Sequence, residues 1–256
     1  MTTGHRSIRA VFTTRHKPSI ALLVLLPFAA MGQEDEPEFT DHFPVEECAF
    51  TPFGGNEFFS LMPGRRTYFD NSACVAAGDC EDREDLVITV TRELKKVWID
   101  DDVERRPIWT RVITEHERED GKIKEISHNY FAMCVPSRDV YYFGEDVDIY
   151  AGGKVVSHDG AWLAGRHGAE PGIIMPDSAF ILGQRYYQEL APGVALDRAE
   201  HVEADLEIDL QAGNFDDCVE VRETTPLEPG SESTKVYCPG VGLVIDNDLE
   251  ATAVGR

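Results

Sequence analysis

The sequence predicts a mainly β protein, with a single antiparallel sheet that is strongly curved or closed into an incomplete barrel or half-barrel. From Thr67 onward, β-branched and aromatic residues alternate with polar ones at a period of two, which is typical of strands with one buried face. Proline followed by glycine, the preferred pair for a type II turn, recurs along the chain. These pairs begin at Pro63, Pro171, Pro192, Pro229 and Pro239. Such frequent turns predict few or no long helices after the N-terminal leader.

Residues 1–32 have the pattern of a cleavable export signal. The basic residues are Arg6, Arg9, Arg15 and Lys17, and no acidic residue accompanies them. An apolar run over 20–30 follows, and small residues stand near Gly32. That run is too short to span a bilayer, which takes about 20 residues. We therefore expect 1–32 to be a signal peptide and the mature protein to be periplasmic or extracellular. No cysteine follows the cleavage point, so a lipoprotein is not expected, and no later membrane span is predicted.

The rest of the chain divides into an acidic, flexible N-terminal segment (33–57) and one antiparallel β domain (58–256). The whole chain has a formal net charge of −23. Removing the leader removes four basic residues and makes the charge four units more negative. A field of this sign repels nucleic acid phosphates and anionic lipids, which excludes both classes of partner. It would attract cations or basic proteins.

The clearest hairpin joins 108–119 to 122–134 through Asp120-Gly121, a preferred type I′ turn. This turn sets Glu119 opposite Lys122 and Glu117 opposite Lys124. A second hairpin turns at Gly152-Gly153. It places Ile149 opposite Val156 and Tyr150 opposite Val155. The other predicted strands are Asp85–Arg92, Lys95–Ile99, Gln184–Glu189, His201–Leu210, Cys218–Thr224, Lys235–Cys238 and Gly242–Asp246.

Six cysteines beyond the leader indicate disulfides in an oxidising compartment. Spacing alone cannot choose among 15 connectivities, although two pairs have local support. Cys74 and Cys80 flank a short loop. Cys218 and Cys238 are equidistant from Glu228, so a hairpin turning there would set them opposite each other. Elimination would then pair Cys48 with Cys134. No CxxC motif or histidine at zinc-ligand spacing is present, so no metal site is predicted.

Several phrases together resemble a family of secreted bacterial proteins that have no assigned activity. They are 59–64 (FSLMPG), 141–145 (YYFGE), 171–176 (PGIIMP), 187–189 (YQE), 191–193 (APG), 214–218 (NFDDC), 225–230 (TPLEPG) and 239–244 (PGVGLV). The resemblance covers nearly all of 58–246. It implies export and a β fold, and it says little about function. A looser likeness of architecture is to half-barrel carriers of lipid chains in the periplasm.

No motif identifies a reaction. A G-x-S-x-G elbow is absent. Carboxylate pairs such as Glu145 with Asp146, or Glu189 beside two tyrosines, could form a glycosidase pair in principle, but a chain with 47 acidic residues brings acids together by chance. His158, His167 and Met175 lack a regular ligand spacing. We therefore predict no catalytic residue, no metal and no cofactor.

Aromatic residues are the remaining candidates for a ligand groove on the concave side of the sheet. The candidate groove residues are Tyr142, Phe143, Trp162, Met175, Tyr187 and Glu189. Residues 160–183, rich in glycine, would form an irregular link or lid. The alternative is that these aromatic rings simply fill the core. The sequence thus favours a non-catalytic binding or carrier module with an unidentified small-molecule or protein partner. A structural or surface-interaction protein is the second hypothesis, and a hydrolase with paired carboxylates is the third.

Overall fold

The computed structural model describes residues 38–100, 105–177 and 180–255. The predicted signal peptide lies outside the described residues. The chain divides into units of 1–36 and 37–256, and every described residue belongs to the second. Within the described residues, no helix combines the length and the apolar character needed to cross a membrane.

The described residues form sixteen strands, one short helix and one turn of 3₁₀ helix (Val45–Glu47). The first elements are β1 (Phe50–Thr51), β2 (Arg66–Asp70), α1 (Ser72–Ala77), β3 (Glu84–Asp100), β4 (Arg105–Glu119), β5 (Lys122–Cys134) and β6 (Val140–Ala151). The middle strands are β7 (Lys154–Ser157), β8 (Trp162–Leu163), β9 (Glu170–Met175), β10 (Arg185–Tyr187) and β11 (Glu189–Leu190). The last are β12 (Arg198–Leu210), β13 (Gly213–Thr224), β14 (Glu232–Cys238), β15 (Gly242–Asp246) and β16 (Leu249–Gly255).

These strands form one antiparallel sheet that nearly closes into a barrel, as the sequence predicts. The strand order is β10-β12-β13-β14-β15-β16-β2-β3-β4-β5-β6-β9-β11. The first and last strands of this path, β10 and β11, are separated in the chain by Gln188 alone. At this seam a Cβ on Gly172 would lie 2.5 Å from the Gln188 carbonyl carbon, so only glycine permits the close approach. The chain therefore brings the two edges of its own sheet together.

The β4–β5 hairpin turns at Asp120 and Gly121, both with positive φ, as a type I′ turn requires. The predicted pairing of Glu119 with Lys122 is confirmed. The predicted pairing of Glu117 with Lys124 is wrong, because a bulge after Ile123 shifts the register and sets Glu117 opposite Glu125.

The hairpin at Gly152-Gly153 shows a similar shift. Tyr150 lies opposite Val155, as predicted, whereas Ile149 lies opposite Ser157 and not Val156, because the register changes between Tyr150 and Ile149. The link predicted over 160–183 is also not irregular throughout, since it contains β8 and β9, both paired with β6. Short strands of two to six residues carry too few alternations to be seen in sequence.

Two segments predicted as separate strands form one continuous strand, and one predicted strand is divided in two. Segments 85–92 and 95–99 belong to the single strand β3, which passes through a register shift between Val90 and Leu94. Conversely, the segment predicted over 184–189 divides at Gln188 into β10 and β11, on opposite sides of the seam. The sequence analysis did not predict β16, which pairs with β2 and so joins the C-terminal strands to β3.

Three disulfides join the cysteine pairs expected from the sequence. Their Cα–Cα distances are 5.1 Å for Cys48–Cys134, 5.3 Å for Cys74–Cys80 and 4.2 Å for Cys218–Cys238. Three such bonds fit an oxidising location, outside the cell or in the periplasm. The Cys48–Cys134 bond also ties down the segment before residue 58. There, Phe43 and Cys48 are buried and β1 pairs with the end of β5. From residue 38 onward this segment therefore packs on the sheet.

Candidate binding cavity

The barrel contains a cavity of about 230 Å³ that is partly open to solvent. Strands β4 and β5 form one side of it, because the bulge after Ile123 brings Ser127 opposite Glu115 and Asn129 opposite Ile113. All four side chains line the cavity. Alternate residues of a strand face the same side of the sheet, so the bulge determines which β5 side chains point inward.

Residues 55–60, here called the 55–60 loop, form another wall of the cavity. Asn56 holds this loop in place. Its side-chain oxygen accepts hydrogen bonds from the Phe58 and Phe59 backbone N–H groups at 3.2 and 2.9 Å. Its amide donates to the Met175 and Pro176 carbonyls, each at 3.1 Å. Phe58, Phe59 and Ser60 thereby become part of the cavity lining.

Lys235 is a half-buried basic residue of the cavity wall, and Arg65 also lines the cavity. Its Nζ lies 2.9 Å from Asp246 Oδ2 and 3.7 Å from Glu223 Oε2. Burial by itself lowers the pKa of the ammonium group, but Glu223 and Asp246 outweigh it and hold this pKa well above its usual value. Lys235 is therefore charged and compensates these two carboxylates. Gln188 from the seam also donates to Glu223 Oε1 at 2.8 Å.

Five other carboxyl groups line the cavity, and none forms an ion pair with a basic residue in the described part of the chain. They are Glu115, Glu125, Glu145, Glu189 and Asp197. Burial raises the pKa of each of them. The pKa of Glu115 rises to about 7 and that of Glu145 to about 8, and for both groups neighbouring carboxylates add to the effect. Near neutral pH, Glu115 and Glu145 therefore retain protons that water-exposed carboxyl groups would release.

Glu189 is the most enclosed of the five, with 8 % of its surface exposed. Burial raises its pKa well above the usual value, and the negative charges of Glu145 and Asp197 raise it further. The Trp162 indole partly opposes this shift, although its buried Nε1–H has no acceptor within hydrogen-bonding distance among the described residues. The indole N–H is thus a buried donor without an acceptor, which is costly in a protein interior.

Aromatic rings stand next to these carboxyl groups. Tyr142 stacks on Phe131 with ring centroids 4.6 Å apart, and Trp162 packs edge-on against Tyr142 at 5.3 Å. The Tyr142 hydroxyl donates to Asn129 Oδ1 at 2.5 Å, and Asn129 donates to Ser127 Oγ at 2.9 Å. These hydrogen bonds orient the Tyr142 ring as part of the cavity wall.

The six groove candidates from the sequence lie in different places. Tyr142 and Glu189 line the cavity, and Trp162 packs against Tyr142. Phe143 lies 5.1 Å from Phe50, against the N-terminal segment. Met175 is buried in the core, and Tyr187 packs near Phe39 at 6.1 Å. The structure therefore brings three of the six together and leaves the other three elsewhere.

Sequence reasoning missed most of the polar lining. The residues it did not select are Ser60, Arg65, Thr67, Glu115, Glu125, Ser127, Asn129, Gln188, Asp197, Glu223, Lys235 and Asp246. In β4 and β5, polar residues occur on both faces, so alternation alone does not show which set points inward. The register of the Asp120-Gly121 hairpin would have shown which β5 side chains point inward, if the bulge had been recognised.

A groove on the outside of the barrel has a different character. Its volume is about 630 Å³, and its lining includes Lys95, Tyr130 and Asp146. These groups satisfy one another: Tyr130 donates to Asp146, and Lys95 Nζ lies 3.3 Å from Asp146 Oδ2. The groove therefore has no comparable set of unpaired buried charges.

In the part of the chain that the structure describes, the cavity holds no three carboxyl groups close enough to bind one metal ion together. Among the described residues, a single group of three candidate ligand atoms lies within 4.8 Å of one another, and it consists of Cys74, Cys80 and Asp248. Both cysteines form a disulfide, so their sulfur atoms are not thiolate ligands.

Comparisons with family models, with curated proteins and with solved structures find no match to this chain. The function is therefore argued from the cavity.

Proposed function

We propose that this chain is an exported, non-catalytic binding protein that holds a small molecule inside its barrel. The observation that carries the proposal is the cavity of about 230 Å³, whose wall carries seven carboxyl groups against two basic residues, Lys235 and Arg65. Five of these carboxyl groups form no ion pair with a basic residue among the described residues. Buried polar groups without partners cost free energy, and a ligand that pairs with them recovers that cost. A purely structural barrel would gain stability by filling this space with apolar side chains.

The lining distinguishes this site from that of a lipid carrier. Such a carrier requires a continuous apolar cavity, whereas here seven carboxyl groups and Lys235 face the interior. The export assignment is supported by the three disulfides and by the leader pattern of 1–32.

A hydrolase is less well supported. Glycoside hydrolysis uses two carboxyl groups whose pKa values are pushed apart, so that one is an acid and the other is ionised. Burial raises the pKa values of Glu115, Glu145 and Glu189 in the same direction. This environment therefore does not produce one protonated and one ionised carboxyl group, as a glycosidase requires, and it is better suited to binding a ligand.

Native mass spectrometry of protein purified from the organism that encodes it tests the proposal. We expect the wild-type protein to retain a small molecule and the variant Ser127→Phe, which fills the cavity, to lose it. His128→Phe is the matched control, because the neighbouring side chain lines the outer groove. A wild-type protein that is bare in repeated preparations, or an adduct that persists in Ser127→Phe, would contradict the proposal.

A further inference from the structure

We propose that the ligand of the cavity is a small organic cation, an amine whose ammonium group lies between Glu145 and Glu189 and whose carbon skeleton packs on Tyr142 and Phe131. This inference rests on the proposed binding function and names the chemical class of its ligand. It follows from the charge of the lining, the aromatic wall, the separation of the carboxyl groups and the volume.

The lining of the cavity favours a cation, because it carries seven carboxyl groups against two basic residues, Lys235 and Arg65. Lys235 compensates Glu223 and Asp246. Glu115, Glu125, Glu145, Glu189 and Asp197 form no ion pair with a described basic residue. Glu189 is more than nine-tenths buried and lines the cavity, and none of the described basic residues forms an ion pair with it. An ammonium group offers three N–H donors and a positive charge to such a set.

Glu145 and Glu189 mark the position of the ammonium group. They come from different strands on the same side of the seam, β6 and β11, and the negative charge of Glu145 adds to burial in raising the pKa of Glu189. Glu145 lies opposite Trp162 in the sheet register, which places the unsatisfied indole next to the same position. The ammonium group would compensate the two carboxylates there.

The aromatic wall suits the remainder of an amine. Phe58, Phe59, Phe131 and Tyr142 all line the cavity. Aromatic ring faces attract cations within about 6 Å and also bury methylene groups. The surrounding carboxyl groups disfavour an anionic ligand, because they outnumber the basic residues of the lining.

A single inorganic cation fits less well than an organic one. Calcium takes six to eight oxygen ligands at about 2.3–2.6 Å, so its ligands must converge. Among the described residues, no three cavity carboxyl groups have ligand atoms within 4.8 Å of one another. An ammonium group has three N–H donors, so it can bind two carboxyl groups and does not need this convergence of ligands.

The volume limits the ligand to a small one. A cavity of about 150 Å³ binds benzene. The cavity of about 230 Å³ therefore holds on the order of ten non-hydrogen atoms. Aliphatic diamines and small aromatic amines are within this limit, whereas peptides and long-chain lipids exceed it.

Isothermal titration calorimetry at pH 7.5 with three probes of similar length tests the inference: 1,4-diaminobutane, neutral 1,4-butanediol and anionic succinate. We expect the diamine to bind at least ten-fold more tightly than the diol, and succinate not to bind. Glu145→Gln and Glu189→Gln should each weaken diamine binding at least ten-fold. Glu207→Gln removes a carboxylate from the exposed face of β12 and should leave the affinity unchanged.

Proton release gives an independent readout. Because Glu145 is partly protonated at this pH, an ammonium group that binds beside it should expel protons, which is measured by titration in buffers of different ionisation enthalpy. Glu145→Gln should reduce the number of protons released, and Glu207→Gln should not. Diamine binding without proton release would contradict the placement at Glu145.

The outcomes separate this inference from the proposed function. If the diol or succinate binds better than the diamine, the cation assignment is wrong and the binding function stands. If none of the three probes binds and the protein also carries no native adduct, both are wrong. Diamine binding that is unchanged in Glu145→Gln and Glu189→Gln would place the amine elsewhere and overturn the inference.

Discussion

Lys235 lies directly opposite Asp246 on neighbouring strands, with Nζ 2.9 Å from Oδ2 inside the barrel. The same ammonium group lies 3.7 Å from Glu223 Oε2. One ammonium group thus pairs with two carboxylates of the lining. The other five carboxyl groups form no ion pair with a described basic residue. The predictions below concern this division and the closure of the sheet.

Removal of the Lys235 ammonium group should destabilise the fold. Lys235→Met leaves Glu223 and Asp246 buried without their cation, which is expected to cost about 3 kcal/mol in urea unfolding. Lys154→Met, at the exposed Gly152-Gly153 turn, should change the stability by less than about 0.5 kcal/mol. Adding Asp246→Asn to Lys235→Met should recover part of the loss. Equal stability of the two single variants would show that the pair contributes nothing.

The stability of the free protein should decrease as the pH rises from about 5 to about 8. The folded-state pKa values of Glu115 and Glu145 are about 7 and about 8, above the ordinary value of 4.5. The folded protein therefore binds more protons than the unfolded chain in this range, and deprotonation favours unfolding. The pKa values of Glu200 and Asp146 are lowered in the folded state. These two groups stabilise the fold above their ordinary pKa values, and this stabilisation is lost as the pH falls through their folded-state pKa values.

Melting temperatures measured from pH 5 to pH 9 test this expectation. Glu145→Gln should flatten the decrease, because the amide cannot lose a proton, and Glu207→Gln should follow the wild-type curve. A wild-type melting temperature that rises steadily from pH 5 to pH 8 would contradict the burial of these carboxyl groups.

The three disulfides should differ in their contribution to stability. Cys48–Cys134 closes a separation of 86 residues and Cys74–Cys80 a separation of 6. In the chain-entropy model these loops contribute about 4.6 and about 2.4 kcal/mol. Replacing both cysteines of a pair with alanine should therefore lower the free energy of unfolding more for Cys48–Cys134, as measured by urea titration. Six free thiols in the unreduced, denatured wild-type protein would show that the bonds do not form.

Closure of the sheet should depend on Gly172. A methyl group there would lie 2.5 Å from the Gln188 backbone, so Gly172→Ala should separate β9 from the seam. We expect a lower melting temperature and faster amide exchange in β9 and β11. Gly255→Ala is the control, since a Cβ at that position meets no atom within 4 Å. Unchanged amide exchange in Gly172→Ala would mean that the seam tolerates a wider gap.

Local sequence signals account for much of this fold. The Asp120-Gly121 turn, the paired glycines at 152–153 and the alternation after Thr67 are properties of neighbouring residues, and they correctly predict an antiparallel sheet. The equal spacing of Cys218 and Cys238 from Glu228 likewise follows from the register of one hairpin. Such features depend on interactions close in sequence, so they can be read without a structure.

The tertiary structure determines which residues line the cavity. A bulge after Ile123 determines that Ser127 and Asn129 face inward, and Gln188 joins two sheet edges that are brought together only by curvature of the whole sheet. The environments of Glu115 and Glu189 arise from residues on distant strands, and burial then raises their pKa values. The sequence by itself determined the strands, the turns and the abundance of acids. Which acids are enclosed depended on closure of the barrel, because burial is a property of long-range packing and not of local pattern.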